Sequence, residues 1–258
     1  MKIIISPAKK MVVDTDSFAV QCLPQFLSET EQLMAALQAL TNQELQSLWK
    51  CNDTLAELNV ERLRTMNLHS RLTPAILAYE GIQYRYMAPE IFEDGHFAYV
   101  QEHLRILSGF YGLLRPFDGV KPYRLEMQAK LSANGCKDLY EFWGDKLAKQ
   151  LAAETDFVLN LASKEYSRAI EPHLSPKVRF VTCTFGERKD GKIIEKGTMC
   201  KMARGQMVRW LAERAVTDAE KIKEFNALGY QFSQENSADN HYVFIKSIET
   251  TNHSRRIL

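Results

Sequence analysis

The sequence predicts one compact α/β domain (mixed α+β) over residues 1–258, with a mixed β-sheet flanked by helices and a helical lobe at about residues 28–80. Three observations predict it. Short apolar runs of strand type occur at Lys2–Ser6, Phe157–Ala162 and Val178–Phe185, separated by segments of helical period. Asp190-Gly191 reads as a hairpin turn into Ile193-Ile194, so the sheet is not purely parallel. No linker, repeat or low-complexity tract divides the chain, and 45% hydrophobic with 25% charged residues is globular usage.

The elements follow in chain order. Lys2 to Ser6 is a buried strand that stops at Pro7. Phe18 to Leu27 is irregular. From Ser28 the period turns helical through Leu33, Leu37 and Leu40. Thr41-Asn42-Gln43-Glu44 has the spacing of a capping box, and Leu45, Leu48 and Trp49 follow on one face. Thr54 to Thr65 continues helically through Leu55, Leu58 and Leu63. Phe97 to Leu107 reads as a helix with Val100, Leu104 and Leu107 inward, and Asp138 to Leu151 as another carrying Leu139, Phe142, Trp143 and Leu147. Phe157 to Ala162 is a buried strand leading into a helix capped by Ser163. Val178 to Phe185 is a strand and Met199 to Val216 a helix. Gly229–Phe232 with Tyr242–Ile248 forms a second hairpin.

Composition narrows the function classes. No apolar run approaches the roughly 18 residues of a membrane helix, and the three apolar residues before Pro7 are too few for a signal peptide. The expectation is a cytoplasmic protein without membrane contact. The five cysteines form no CxxC pair, which fits reduced, packed thiols. A net charge of +1 hides an asymmetry. Residues 1–100 carry 8 Lys and Arg against 12 Asp and Glu, whereas Ser163 to Arg214 carries 12 against 6. A basic C-terminal half permits a polyanion-binding face.

Standard catalytic signatures are absent. There is no GxxxxGK[ST], GxSxG, HExxH or GxGxxG, and no His pair at i, i+4. The Glu90, Glu93, Asp94 and His96 cluster reads as an acidic approach to a helix. No metal and no cofactor is expected. Instead, polar residues interrupt apolar runs at strand ends. Ile5-Ser6-Pro7-Ala8-Lys9 puts a hydroxyl and a cation at the edge of the sheet, where open α/β sheets bind ligands. Leu113 to Met127 holds Arg115, Lys121, Tyr123, Arg124 and Glu126 on a loop stiffened by Pro116 and Pro122, which suits phosphate capture. Asn160 sits inside an apolar strand, and Ser163-Lys164-Glu165-Tyr166 opens the helix after it, an expected anion site. Lys201 and Arg204 share a helix face with Arg209 nearby, and Gly205 lets a backbone or a ligand come close.

These segments, in this order, resemble the bacterial peroxide stress protein family YaaA. The residues that carry the likeness are Ile5–Lys9, Leu107–Pro116, Pro122–Met127, Asp138–Asp145, Asn160–Tyr166 and Ala203–Gly205, spread from residue 1 to about 248. The resemblance implies a cytoplasmic, peroxide-induced protein that limits iron-driven damage. It also implies a single α/β body with a positively charged cleft, a helix-hairpin-helix element and DNA binding. The best local candidate for the hairpin is Leu48 to Leu63, with Leu55-Ala56-Glu57-Leu58-Asn59 at its turn. Glu57 then stands where a glycine is expected, which would weaken phosphate contact, since Glu tolerates positive φ poorly. Ser108 to Gly112 is a rival hairpin.

Two function classes stay open on the residues. In the first, the cleft binds DNA, duplex or locally unpaired, through Lys9, Arg115, Lys121, Arg124, Lys164, Lys201, Arg204 and Arg209, with Tyr123, Tyr166 and Trp143 stacking on bases. In the second, the same cleft holds a nucleotide-like small ligand. Ser6, Glu126, Asn160 and Ser163 then act on a nucleotide, nucleoside or damaged base. A weaker reading places a peroxide-sensing thiol at Cys183 or at Cys200, near a helix start that would lower its pKa.

Overall fold

The computed structural model describes residues 1–246. The chain runs β1 (Lys2–Ile5), β2 (Lys10–Met11), α1 (Leu27–Gln38), α2 (Asn42–Trp49), α3 (Asp53–Arg64), β3 (Thr73–Pro74), α4 (Ala75–Ala78), β4 (Tyr79–Glu80), α5 (Ile82–Met87) and α6 (Asp94–His103). There follow β5 (Leu104–Ser108), β6 (Gly112–Leu114), β7 (Gly119–Val120), α7 (Leu139–Trp143), α8 (Lys146–Glu154), β8 (Phe157–Leu161) and α9 (Lys164–Ser167). The remainder is β9 (Arg179–Lys189), β10 (Lys192–Ile194), α10 (Gly197–Glu213), β11 (Tyr230–Phe232) and β12 (His241–Lys246).

The central sheet has the order β11-β12-β9-β8-β1-β5-β6, with β10 paired to β9. Strands β12, β9, β8, β1 and β5 run parallel, while β11, β10 and β6 are antiparallel additions. This is the mixed sheet that the sequence predicts. β1 lies between β8 and β5, and Ile3, Ile4 and Ile5 are fully buried. A strand covered on both faces reads as a continuous apolar run rather than an alternation. From β1 the chain moves to β5 on one side; from β8 it moves to β9 on the other. The connections therefore diverge at the carboxyl ends of β1 and β8, which is the topological switch point of the sheet.

The lobe consists of α1 to α3. Thr41 and Glu44 form the expected capping box at the start of α2. The turn between α2 and α3 is Lys50-Cys51-Asn52, with Lys50 left-handed (φ 47°) and Asn52 accepting the Leu55 N–H at 3.0 Å. Leu55 to Asn59, expected at a hairpin turn, lie inside α3, and Glu57 is an exposed helical residue there. The rival Ser108–Gly112 joins β5 to β6, a β-hairpin.

Two further boundaries differ from expectation. The helix predicted from Phe97 to Leu107 ends at His103. Leu104, Ile106 and Leu107 are fully buried in β5, with Arg105 buried between them and paired to Glu154; Leu104 and Leu107 fit a helix period as well as a strand, so the pattern did not separate the two. The helix predicted from Asp138 to Leu151 is split at Gly144 (φ 49°, ψ −126°) into α7 and α8. The second hairpin forms as β11 and β12; Ser247 and Ile248 of its expected second strand lie outside the described residues.

Candidate functional site: a polar cavity at the switch point

Ser6 follows β1 directly, and Ser163 stands two residues past β8. The Ser163 N–H donates to Ser6 Oγ at 2.8 Å, and Ser6 Oγ lies 3.2 Å from Ser163 Oγ. The two strand exits are thus tied together at the switch point. Tyr84 of α5 donates its hydroxyl to the Ser6 carbonyl at 3.0 Å. Helix α10 packs against α5, and Gly205 makes that possible: a Cβ there would sit 2.0 Å from the Gln83 carbonyl oxygen. The close approach left open by the sequence is therefore to backbone. It brings Lys201 and Arg204 of α10 over the same opening as Gln83.

These elements and the 123–126 segment enclose a cavity of about 420 Å³. Among its lining residues are Ser6, Lys9, Arg124, Glu126, Lys201 and Arg204. Tyr123, Ser163 and Tyr166 also line it. Glu126 Oε1 stands 2.8 Å from Arg124 Nε and 3.6 Å from Lys9 Nζ. The Arg124–Glu126 contact is an ion pair without hydrogen-bond alignment, so Arg124 Nε and Glu126 Oε1 are both left without a hydrogen-bond partner. Arg204 Nε and Gln83 Nε2 are in the same condition. Buried polar atoms are almost always paired. Among the described residues six buried side-chain atoms lack a partner, and four of them belong to residues lining this cavity. The set offers three N–H donors and one carboxylate acceptor.

The sequence reading missed Gln83, Tyr84 and Glu165, which also line the cavity. Glu165 Oε1 accepts the Gln128 N–H at 3.3 Å. Burial, with Glu126 adding to it, pushes the Glu165 carboxyl above its usual range. Glu165 was visible as the neighbour of Lys164 and Tyr166; Gln83 carried no signal, since its role comes from the contact between α5 and α10.

Other expected residues stand elsewhere or act differently. Arg115 is tied by its Nε to Asp118 at 3.2 Å. The Asp118 carboxyl is buried, which pushes it upward despite that partner. Lys121 Nζ donates to the Arg71 carbonyl. Arg209 pairs with Glu213 at 2.6 Å, one turn along α10. Asn160 donates to Thr182 Oγ1 and accepts the Ala162 N–H, so its polar atoms serve the strand end. Lys164 is exposed on α9, a single turn of four residues, and does not line the cavity. Trp143 is fully buried and donates to the Gly109 carbonyl at 3.0 Å, so no base can reach it. Tyr123 and Tyr166 are buried walls. The Tyr123 hydroxyl bonds Tyr79 and Ser108, and burial pushes the phenol up to about 12.

The thiol reading fails on local environment. Burial pushes Cys200 up to about 11 and Cys183 higher still, and Cys200 donates to the Phe185 carbonyl. Neither is a thiolate at neutral pH. In the acidic cluster before α6, His96 Nδ1 accepts the Glu93 N–H. Among the described residues no group of three or more His, Cys, Asp or Glu is placed to hold a metal ion. No helix among them is long and apolar enough to cross a membrane. A second cavity of about 620 Å³ adjoins the first at Glu126, between α2 and residues 126–130.

The cavity lies at the switch point of an open α/β sheet, the position where sheets of this class hold their ligands. Residues 1–236 match the family described as peroxide stress protein YaaA, and the chain belongs to that family. A UPF0246 protein of Desulfitobacterium hafniense (strain Y51) is 53% identical over 248 residues, covering 96% of this chain and 99% of the relative. A UPF0246 protein of Lachnoclostridium phytofermentans is 54% identical over 246 residues, covering 95% and 96%. One of Agathobacter rectalis is 51% identical over 248 residues, covering 96% and 100%.

Proposed function

We propose that this peroxide stress protein acts in the cytoplasm by binding DNA at locally unpaired sites, with one nucleotide seated in the switch-point cavity. Arg124, Arg204, Lys9 and Lys201 take the phosphate, and Gln83 and Glu126 meet polar groups of the nucleotide. Its contribution against iron-driven oxidative damage is then indirect: it covers exposed nucleotides rather than holding iron. The observation that supports this reading is the convergence of Gln83 Nε2, Arg124 Nε, Arg204 Nε and Glu126 Oε1, all buried and without a hydrogen-bond partner, on one cavity. The cavity is enclosed by α5, α10 and the 123–126 segment, which suits a single extruded unit better than a paired duplex. The broad basic face expected from the sequence shrinks to this opening, because Arg115, Lys121, Lys164 and Arg209 do not line the cavity.

A labelled DNA duplex with an unpaired bubble tests this against the fully paired duplex. Wild-type protein is expected to bind the bubble at least about tenfold more tightly, and Arg204→Ala to lose about that factor, the range for one charged hydrogen bond. Equal binding of both DNAs, or an unaffected Arg204→Ala, contradicts it.

A second reading, turnover of a nucleotide, nucleoside or damaged base, is favoured by one observation. Two carboxyls, Glu126 and Glu165, line the same cavity in different surroundings. Such a pair is the usual arrangement for acid–base work.

A further inference from the structure

The two carboxyls of the cavity are not equivalent. Glu126 has Arg124 Nε at 2.8 Å and Lys9 Nζ at 3.6 Å, so its charge is offset. Glu165 has no cation within 4.0 Å among the described residues; its Oε1 accepts the backbone N–H of Gln128 at 3.3 Å, and the Met127 N–H also faces the carboxylate. The charged and titratable groups around it come from every neighbouring element. Glu126 and Lys9 face it from the two loops, Tyr166 from its own turn, and Tyr140 from α7, whose hydroxyl donates to the Glu165 carbonyl at 2.9 Å. Arg124, Lys201 and Arg204 line the same cavity. Arg168 stands 4.9 Å from the Tyr140 ring centre on the side of α7.

An anion entering this space meets one carboxylate that is already paired and one that is not. A second negative charge beside Glu165 and the loss of solvent on binding both favour the protonated acid. A protonated carboxyl is also a donor, where the carboxylate could only repel.

We propose that Glu165 enters the bound complex as a neutral carboxylic acid that donates a hydrogen bond to an anionic oxygen of the ligand, so that binding takes up one proton. This makes Glu165 a specificity residue of the cavity, selecting an anion, and it rests on the reading of the cavity as a nucleotide site. The raised carboxyl agrees in direction, since the proton is then held at modest cost before the ligand arrives. No bond is made or broken; the proton comes from solvent.

The test uses thymidylyl-thymidine, a dinucleoside monophosphate whose diester does not titrate between about pH 5 and pH 8. Its affinity for wild-type protein is expected to fall as pH rises, by at most about tenfold per pH unit. Calorimetry in two buffers of different ionisation heat is expected to read about one proton taken up. Glu165→Gln, which keeps a donor without a titrating group, is expected to bind with affinity independent of pH. Binding without proton uptake in the wild type, or an unchanged pH profile in Glu165→Gln, overturns the role of Glu165 while leaving the cavity as the nucleotide site. No binding of the probe at any pH overturns both. The wild-type calorimetry decides the matter by itself should Glu165→Gln fail to fold.

Discussion

Glu165 shows at the residue scale how position alone changes a side chain's chemistry. Burial comes first among the causes that raise its carboxyl, and the Glu126 charge adds to it; Gln128 N–H and Lys9 act in the opposite sense without prevailing. A carboxyl whose folded pKa is raised binds more protons in the folded than in the unfolded state. The stability it contributes is therefore complete below the unfolded pKa and lost as pH rises through the folded one. Glu165→Gln is expected to gain stability relative to wild type as pH goes from about 4 to about 7, read by urea unfolding at both ends. A wild-type-to-variant difference that stays constant with pH contradicts this. Asn160 teaches the opposite lesson. It looked chemical because it interrupts an apolar strand, and its amide instead closes the end of β8 onto Thr182 and the Ala162 N–H. A sequence shows that a buried polar residue needs partners; it does not show whether those are ligand or backbone.

At the scale of elements, the site depends on how closely α10 approaches α5. Gly205→Ala places a Cβ 2.0 Å from the Gln83 carbonyl oxygen, a backbone atom that cannot rotate away. Overpacking of this kind costs about 1–3 kcal/mol, and the upper end is expected here, measured as the shift in urea unfolding. A loss well under 1 kcal/mol shows that α5 yields freely. The same contact explains what was legible beforehand. Strands β1 and β8 stood out because apolar runs buried on both faces leave no other reading next to Pro7 or Ser163, whereas in β9 buried Val181, Cys183 and Phe185 alternate with half-buried Phe180, Thr182 and Thr184. β5 did not, because Leu104 to Leu107 satisfies a helix period as well as a strand. Ser6 and Lys9 were legible as polar groups at a strand end, Arg124 and Glu126 on a stiff loop, and Lys201 and Arg204 on one helix face. Their convergence was not, nor was Gln83, because both follow from the pairing of β1 with β8 and of α5 with α10, contacts distant in sequence. The turn of the lobe shows a limit of motif transfer. Lys50-Cys51-Asn52 makes the bend without glycine, and the segment picked for its likeness to a hairpin is ordinary helix.

Over the whole molecule, topology places the candidate cavity, and in the proposed reading charge selects its ligand. The divergence of connections at β1 and β8 opens a crevice, and Ser6 and Ser163 tie its floor. Five cations and three carboxylates line it, Lys9, Lys10, Arg124, Lys201 and Arg204 against Glu80, Glu126 and Glu165. Lys10 is held by Glu80 at 2.8 Å, which leaves Lys201 and Arg204 without a carboxylate within 4.0 Å among the described residues. In the proposed reading these are the charges a phosphate pairs with, releasing the counterions that each held. The measurement that tests the account most directly is therefore a salt series for binding of single-stranded DNA by wild type and Arg204→Ala. The wild-type log affinity is expected to fall linearly with log salt, by about 0.7 per phosphate held, and Arg204→Ala to lose about one phosphate's worth of that slope. Salt-insensitive binding, or the same slope in both proteins, would contradict the assignment of the switch-point cavity as a phosphate site.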